Sequence, residues 1–156
     1  ARIARGDIRP MTELDVTAWD AIIMPGGFGA AKNWCDYAFE GVDMTVAQDI
    51  AMMVMRAYAS GKVLGCMCIA PVIVAKLIPG VQVTVGHTCE VVQHIEAWGG
   101  QHIEAAVDEV VWDDNCRVAS VPAYMLAQSI QEVATGIEAL CHVVLSHIER
   151  PEPELA

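Results

Sequence analysis

The chain holds no uninterrupted apolar run near the roughly 18 residues that a membrane-spanning helix requires, although 54% of its 156 residues are hydrophobic. It is poor in positive charge. Nine Lys and Arg stand against twenty Asp and Glu, a formal charge of −11, which repels nucleic-acid backbones and anionic membrane surfaces alike. It has no CxxC pair, and its six cysteines, at positions 35, 66, 68, 89, 116 and 141, lack the spacing of a small secreted disulfide domain. They read as reduced thiols in an intracellular protein. Internal repeats and low-complexity blocks are absent, as are an initiator Met and a secretory apolar stretch. Ala1-Arg2-Ile3-Ala4-Arg5-Gly6 therefore reads as an internal starting point. What remains is one domain long enough for a sizeable core, with neither nucleic acid nor membrane as partner.

Periodicity divides that domain into alternating elements. Residues 21–24 form an apolar run ended by Pro25-Gly26-Gly27-Phe28-Gly29, a buried strand entering a glycine-rich turn. Residues 36–44 read as loop. Thr45 and Gln48 fit a capping box for a helix that carries Ile50, Met53, Val54 and Tyr58 to a stop at Gly61. A second strand spans 62–67 and a second helix 69–78, with Pro71 tolerated in its first turn. A third strand follows over 82–85, then a helix capped by Thr88 and running to Trp98. Residues 107–112 and 116–121 flank Asp113-Asp114-Asn115 and predict a hairpin. From Ala123 to about Glu149, Leu126, Ile130, Val133, Ile137, Leu140, Val144 and Ile148 step by three and four, which predicts one long helix on the sheet. Residues 150–156 are polar and predict a disordered tail. The alternation implies a mostly parallel sheet with helices on both faces. With only three parallel candidates before the hairpin, the chain reads as beginning inside its domain, which spans 1–149.

The chemistry gathers at Gly65-Cys66-Met67-Cys68-Ile69-Ala70-Pro71. A residue at a sharp strand-to-helix turn is pushed into the crevice at the carboxyl ends of the strands, where open α/β sheets bind ligands. Such an elbow also requires small residues two before and two after it, here Cys66 and Ala70. Cys68 is thus a candidate nucleophile, against the alternative of a buried structural thiol. The amide of Ile69 and the first turn of the next helix face the sulfur. Gly26 and Gly27 let further amides approach, so Gly26, Gly27 and Ile69 make a candidate oxyanion hole; the plainer alternative is an ordinary tight turn. This glycine turn matches neither the phosphate loop nor the dinucleotide fingerprint. His87, at the end of the third strand, reaches the same rim and is a candidate to hold or relay a proton. Cys66, Cys68, His87 and Cys89 are of zinc-ligand type, but Cys66 and Cys68 point to different sides of an elbow, so neither metal nor organic cofactor is expected.

Pro25-Gly26-Gly27-Phe28-Gly29-Ala30-Ala31-Lys32-Asn33, Cys68-Ile69-Ala70-Pro71 and Pro122-Ala123-Tyr124-Met125-Leu126-Ala127-Gln128-Ser129 together resemble the ElbB-like branch of the ThiJ/PfpI superfamily, which has the class I glutamine amidotransferase fold. The resemblance implies a flavodoxin-like three-layer α/β sandwich and a homodimer. It also implies an elbow cysteine, Cys68 here, that attacks small reactive carbonyls such as glyoxal, with Gly26, Gly27 and Ile69 as amide donors and His87 in a position many members fill with histidine. The implied activity is that of a glyoxalase or deglycase converting α-oxoaldehydes to hydroxy acids. The competing expectation is a non-enzymatic redox sensor or chaperone-like protein using the same thiol. The cytoplasm is the expected compartment, the mitochondrial matrix the alternative. Family members begin with a further strand, helix and strand whose first loop supplies a glutamate to the elbow cysteine. Glu13 belongs to a different segment, so this stretch alone offers no counterpart. Class I glutamine hydrolysis in this fold, as the resemblance implies, needs a His and a Glu two residues apart late in the chain, and no such pair directly follows Ser120-Val121-Pro122.

Overall fold

A computed structural model describes residues 6–148. Strand β1 (Ala21–Met24) pairs in parallel with β2 (Val63–Met67), and β2 in parallel with β6 (Val118–Val121), while β5 (Val111–Asp113) runs antiparallel to β6. The sheet order is β1-β2-β6-β5. Every residue of the central strand β2 is buried, which explains its unbroken apolar run.

Side chains alternate across β2. Leu64 and Cys66 enter a core with α3 (Gln48–Ala59), α4 (Pro71–Leu77) and α5 (Glu90–Ala97), whereas Val63 and Met67 pack with Leu140 and Val144 of α6 (Ile130–Ser146). The result is a flavodoxin-like α/β sandwich of three layers with a mostly parallel sheet. Gly65 lets α6 come close: a Cβ there would stand 3.0 Å from Ile23 Cγ1 and 3.2 Å from Val144 Cγ2.

Several expectations need correction. The segment expected as loop contains the one-turn helix α2 (Tyr37–Glu40) and a 3-10 turn at Gly41–Asp43, after α1 (Phe28–Asn33). Thr45 does not cap α3. Its N–H and hydroxyl both donate to the Asp36 carboxylate at 2.6 Å, and α3 starts after Ala47 without a side-chain cap. Thr88 likewise donates to Glu104 at 3.0 Å, and Cys89 occupies the position before α5.

The third predicted strand, β3 (Gln82–Val83), is outside the main sheet. It pairs in parallel with β4 (Gln101–His102), a strand the sequence pattern does not reveal. The long helix begins later than expected, because Ala123–Met125 forms a 3-10 turn and Leu126 packs over Gly86 instead. Ser129 caps α6 by accepting from the Glu132 N–H at 3.2 Å. The expected boundary at Glu149 and the tail over 150–156 lie outside the described residues.

Side chains join the small sheet to the large one. The buried Asp113 carboxylate accepts from Gln82 N at 2.7 Å and from Asn115 N and Cys116 N at 2.9 and 3.0 Å, closing the hairpin turn and holding β3 together. Buried Ser120 Oγ accepts from Thr84 N at 2.9 Å, and Thr84 Oγ1 accepts from Gly86 N at 2.9 Å.

Candidate active site

Strand β2 ends at Met67, and Cys68 takes φ 60°, a left-handed conformation that L-residues rarely adopt. The bend is fixed from both sides. Cys68 N donates to Val121 O of the adjacent strand at 3.1 Å, and Ala70 N donates to Met67 O at 3.1 Å across the turn. Pro71 then opens α4, where a missing N–H costs nothing. Cys66 and Ala70 are fully buried beneath the elbow, so larger residues would not fit. Strain of this kind costs on the order of 1–3 kcal/mol and persists where the surroundings over-determine it.

The glycine turn after β1 is pressed against this elbow. A Cβ on Gly26 would lie 2.6 Å from Met67 O, 2.8 Å from Cys68 Cβ and 2.9 Å from Ile69 N. Gly27, at φ 90° and ψ 165°, has a backbone that only glycine adopts readily, and it starts α1. Among the described residues, the N–H groups of Gly27 and Ile69 have no main-chain acceptor. Three of the residues expected at the site, Gly26, Cys68 and Ile69, therefore come together, with Gly27 next in the chain after Gly26.

The cysteines differ sharply. Burial pushes the Cys66 thiol far above its ordinary range, and burial likewise raises those of Cys35 and Cys116. Cys68 is only partly buried. His87 is exposed after Gly86 and lines a neighbouring cleft with Ala106, Val107, Leu126, Gln128 and Glu132. Cys68 is not among the residues of that cleft. The strand leading to His87 is steadied by His102, whose Nε2 accepts from Val85 N at 3.2 Å. Burial lowers the His102 pKa from its ordinary value, against a smaller opposing effect of Glu104 and Glu96.

The sequence pattern misses a second strained residue. Ala123 has φ 47° at the end of β6, next to the elbow, and it is followed by Tyr124 with 60% of its surface exposed. An alanine carries no signature of such a backbone. Among the described residues, no group of three or more His, Cys, Asp and Glu side chains is arranged to hold a metal ion.

No protein-family model matches the chain. It is 31% identical to the isoprenoid biosynthesis protein with amidotransferase-like domain from Ehrlichia chaffeensis, with TM-score 0.84 over 96% of this chain and 68% of that one. The chain belongs to the amidotransferase-like family. Within the amidotransferase-like proteins it is 38% identical over 154 residues to the human glutamine amidotransferase-like class 1 domain-containing protein 3, mitochondrial. That match covers 93% of this chain and 58% of the human protein, so the chain spans little more than half the length of this curated relative. Glyoxalase III from Candida albicans shares the fold, at 18% identity and TM-score 0.61 over 89% of this chain and 61% of that one.

Proposed function

We propose that the complete protein is a cofactor-independent enzyme of the glyoxalase or deglycase type, from the ElbB-like branch of the ThiJ/PfpI superfamily, acting on small α-oxoaldehydes through Cys68. The single observation that carries this reading is the strained, partly exposed thiol with the Gly26 backbone and the Ile69 amide packed against it. The thiolate sulfur bonds to the aldehyde carbon and the carbonyl electron pair moves to oxygen, where the amides of Gly27 and Ile69, with Gly26 beside them, stabilise the charge. The C1 proton of the protonated hemithioacetal then passes to C2 and its hydroxyl proton to the C2 oxygen, leaving a thioester of the hydroxy acid. Water cleaves this ester and returns the thiol. His87 is the proposed carrier of the proton.

The complete protein is proposed to act as a homodimer. The names of the curated relatives place those proteins in mitochondria, which favours the mitochondrial matrix over the cytoplasm for this one. Glycolate formation from glyoxal tests the reading. The complete protein should turn glyoxal over and Cys68→Ala should not; equal rates remove Cys68 from the mechanism.

A redox-sensing role rests on the same partial exposure of Cys68. Selective sulfinic acid at Cys68 after mild peroxide, without any carbonyl turnover, would favour it.

A further inference from the structure

Lys62 and Arg117 stand at the amino ends of two neighbouring strands. Lys62 immediately precedes β2 and Arg117 immediately precedes β6, and the two strands meet there through Leu64 N, which donates to Arg117 O at 3.0 Å. Asp20, directly before β1, completes the row. With Ser60, Gly61 and Ile148 these three residues line one cleft of about 350 Å³, a size that holds a small ligand. Cys68 follows the opposite end of β2. A rise of about 3.3 Å per residue separates it from Lys62 by about 20 Å.

The Arg117 guanidinium is held in place. Its Nη2 donates to His147 O at the end of α6 at 2.6 Å, and the His147 ring stacks on Trp112 with 3.9 Å between their centres. The backbone of Arg117 is left-handed, at φ 54°, a strained conformation that persists only where its surroundings impose it. Its Nε is nevertheless buried with no hydrogen-bond acceptor among the described residues. Among those residues no carboxylate lies within 4.0 Å of Lys62 or Arg117, that of Asp20 included. A chain with a formal charge of −11 repels anions over most of its surface, and two cations sharing a cleft without a paired acid make a local exception. The bland role for Arg117, capping the last carbonyls of α6, uses one nitrogen and does not account for Lys62.

We propose that this cleft binds a small molecule carrying a phosphate group, with Arg117 and Lys62 on the phosphate oxygens and the Ser60 hydroxyl as a further donor. A fixed, planar guanidinium beside a mobile ammonium suits an anion with several oxygens. Asp20 opposes the anion and limits how tightly it is held. The site is separate from the carbonyl chemistry at Cys68, and neither depends on the other.

Titration calorimetry with inorganic phosphate, glycerol phosphate and acetate, at one ionic strength set with chloride, tests the assignment. Both phosphates should bind and acetate should not. Affinity for inorganic phosphate should fall about tenfold in Lys62→Gln, the loss of one charge-assisted hydrogen bond, and rise about threefold in Asp20→Asn. It should hold in Arg56→Gln, since Arg56 lies outside the cleft. Lys62 and Asp20 are the residues to change, because replacing Arg117 would also release the end of α6. Absent phosphate binding, equal affinity in Lys62→Gln, or acetate binding as tightly as phosphate overturns the proposal. So does binding that appears only in Glu149→Gln, which would assign the cleft to the carboxylate next in the chain after Ile148.

Discussion

Gly26 and Cys68 stand so close that a methyl group on the first would lie 2.8 Å from the Cβ of the second. Gly26→Ala should therefore damage the elbow directly. The new carbon would meet main-chain atoms, Met67 O and Ile69 N, which cannot swing aside as a flexible side chain can. Overpacking of this kind costs about 1–3 kcal/mol. Urea denaturation should show the loss, and alkylation of Cys68 by iodoacetamide should change rate. A variant with parental stability and reactivity would show that the two turns can move apart.

The left-handed backbone of Cys68 makes a second prediction that separates strain from chemistry. Cys68→Ala keeps a Cβ at φ 60°, whereas Cys68→Gly removes it. The glycine variant should be the more stable of the two by about 1 kcal/mol, and both should lack thiol chemistry. Equal melting free energies would mean that the bend carries no strain.

Asp113 links the two sheets through three main-chain donors. Asp113→Asn can keep the acceptor that faces Asn115 and Cys116, but it turns an amide NH2 toward the N–H of Gln82. Hydrogen bonds to a charged acceptor are worth about 1.5–3 kcal/mol, and a loss in that range is expected in chemical denaturation. Faster amide exchange should appear at Gln82 and Thr84 first.

Two of the shifted groups make testable contributions to the pH dependence of stability. Burial lowers the His102 pKa below its ordinary 6.5, so the unfolded chain takes up that proton first as the pH falls. Stability is complete above that value and declines as pH drops toward the folded pKa, where protonated Nε2 can no longer accept from Val85. At the alkaline end, burial, with the charges of Glu90, Cys89 and Cys35, pushes Tyr37 from 10.0 to about 12. The unfolded chain loses its proton first there, so the Tyr37 contribution declines from about pH 10 up to about 12, after the buried thiols have begun to contribute the same sense of loss from 9.0. Denaturation midpoints across pH should fall at both ends, and His102→Gln should flatten the acid limb. An acid limb identical in that variant would assign it to other groups.

Much of the fold is legible in the residues because the physics there is local. The apolar stretch before Pro25-Gly26-Gly27 is a strand, Asp113-Asp114-Asn115 turns a hairpin, and small residues on either side of Cys68 permit its bend. The misses share a different cause. Thr45 and Thr88 have the look of helix caps, yet their hydroxyls are claimed by Asp36 and Glu104, nine and sixteen residues away. Leu126 belongs by spacing to the stripe of α6, but it is taken by the space above Gly86. β3 and β4 have two residues each, too few to show a period. At the site, glycine marks Gly26 and Gly27, while nothing in an alanine announces the backbone of Ala123.

The chain leading to His87 is attached to the main sheet by the hydroxyl of Ser120 and the carboxylate of Asp113, not by a continuous main-chain ladder. A ladder spreads its register over many equivalent bonds, whereas these anchors are individual side chains that a single codon change can alter. The segment that carries His87 is consequently held by a few replaceable contacts, whereas the bend beneath the thiol is held by the central strand itself.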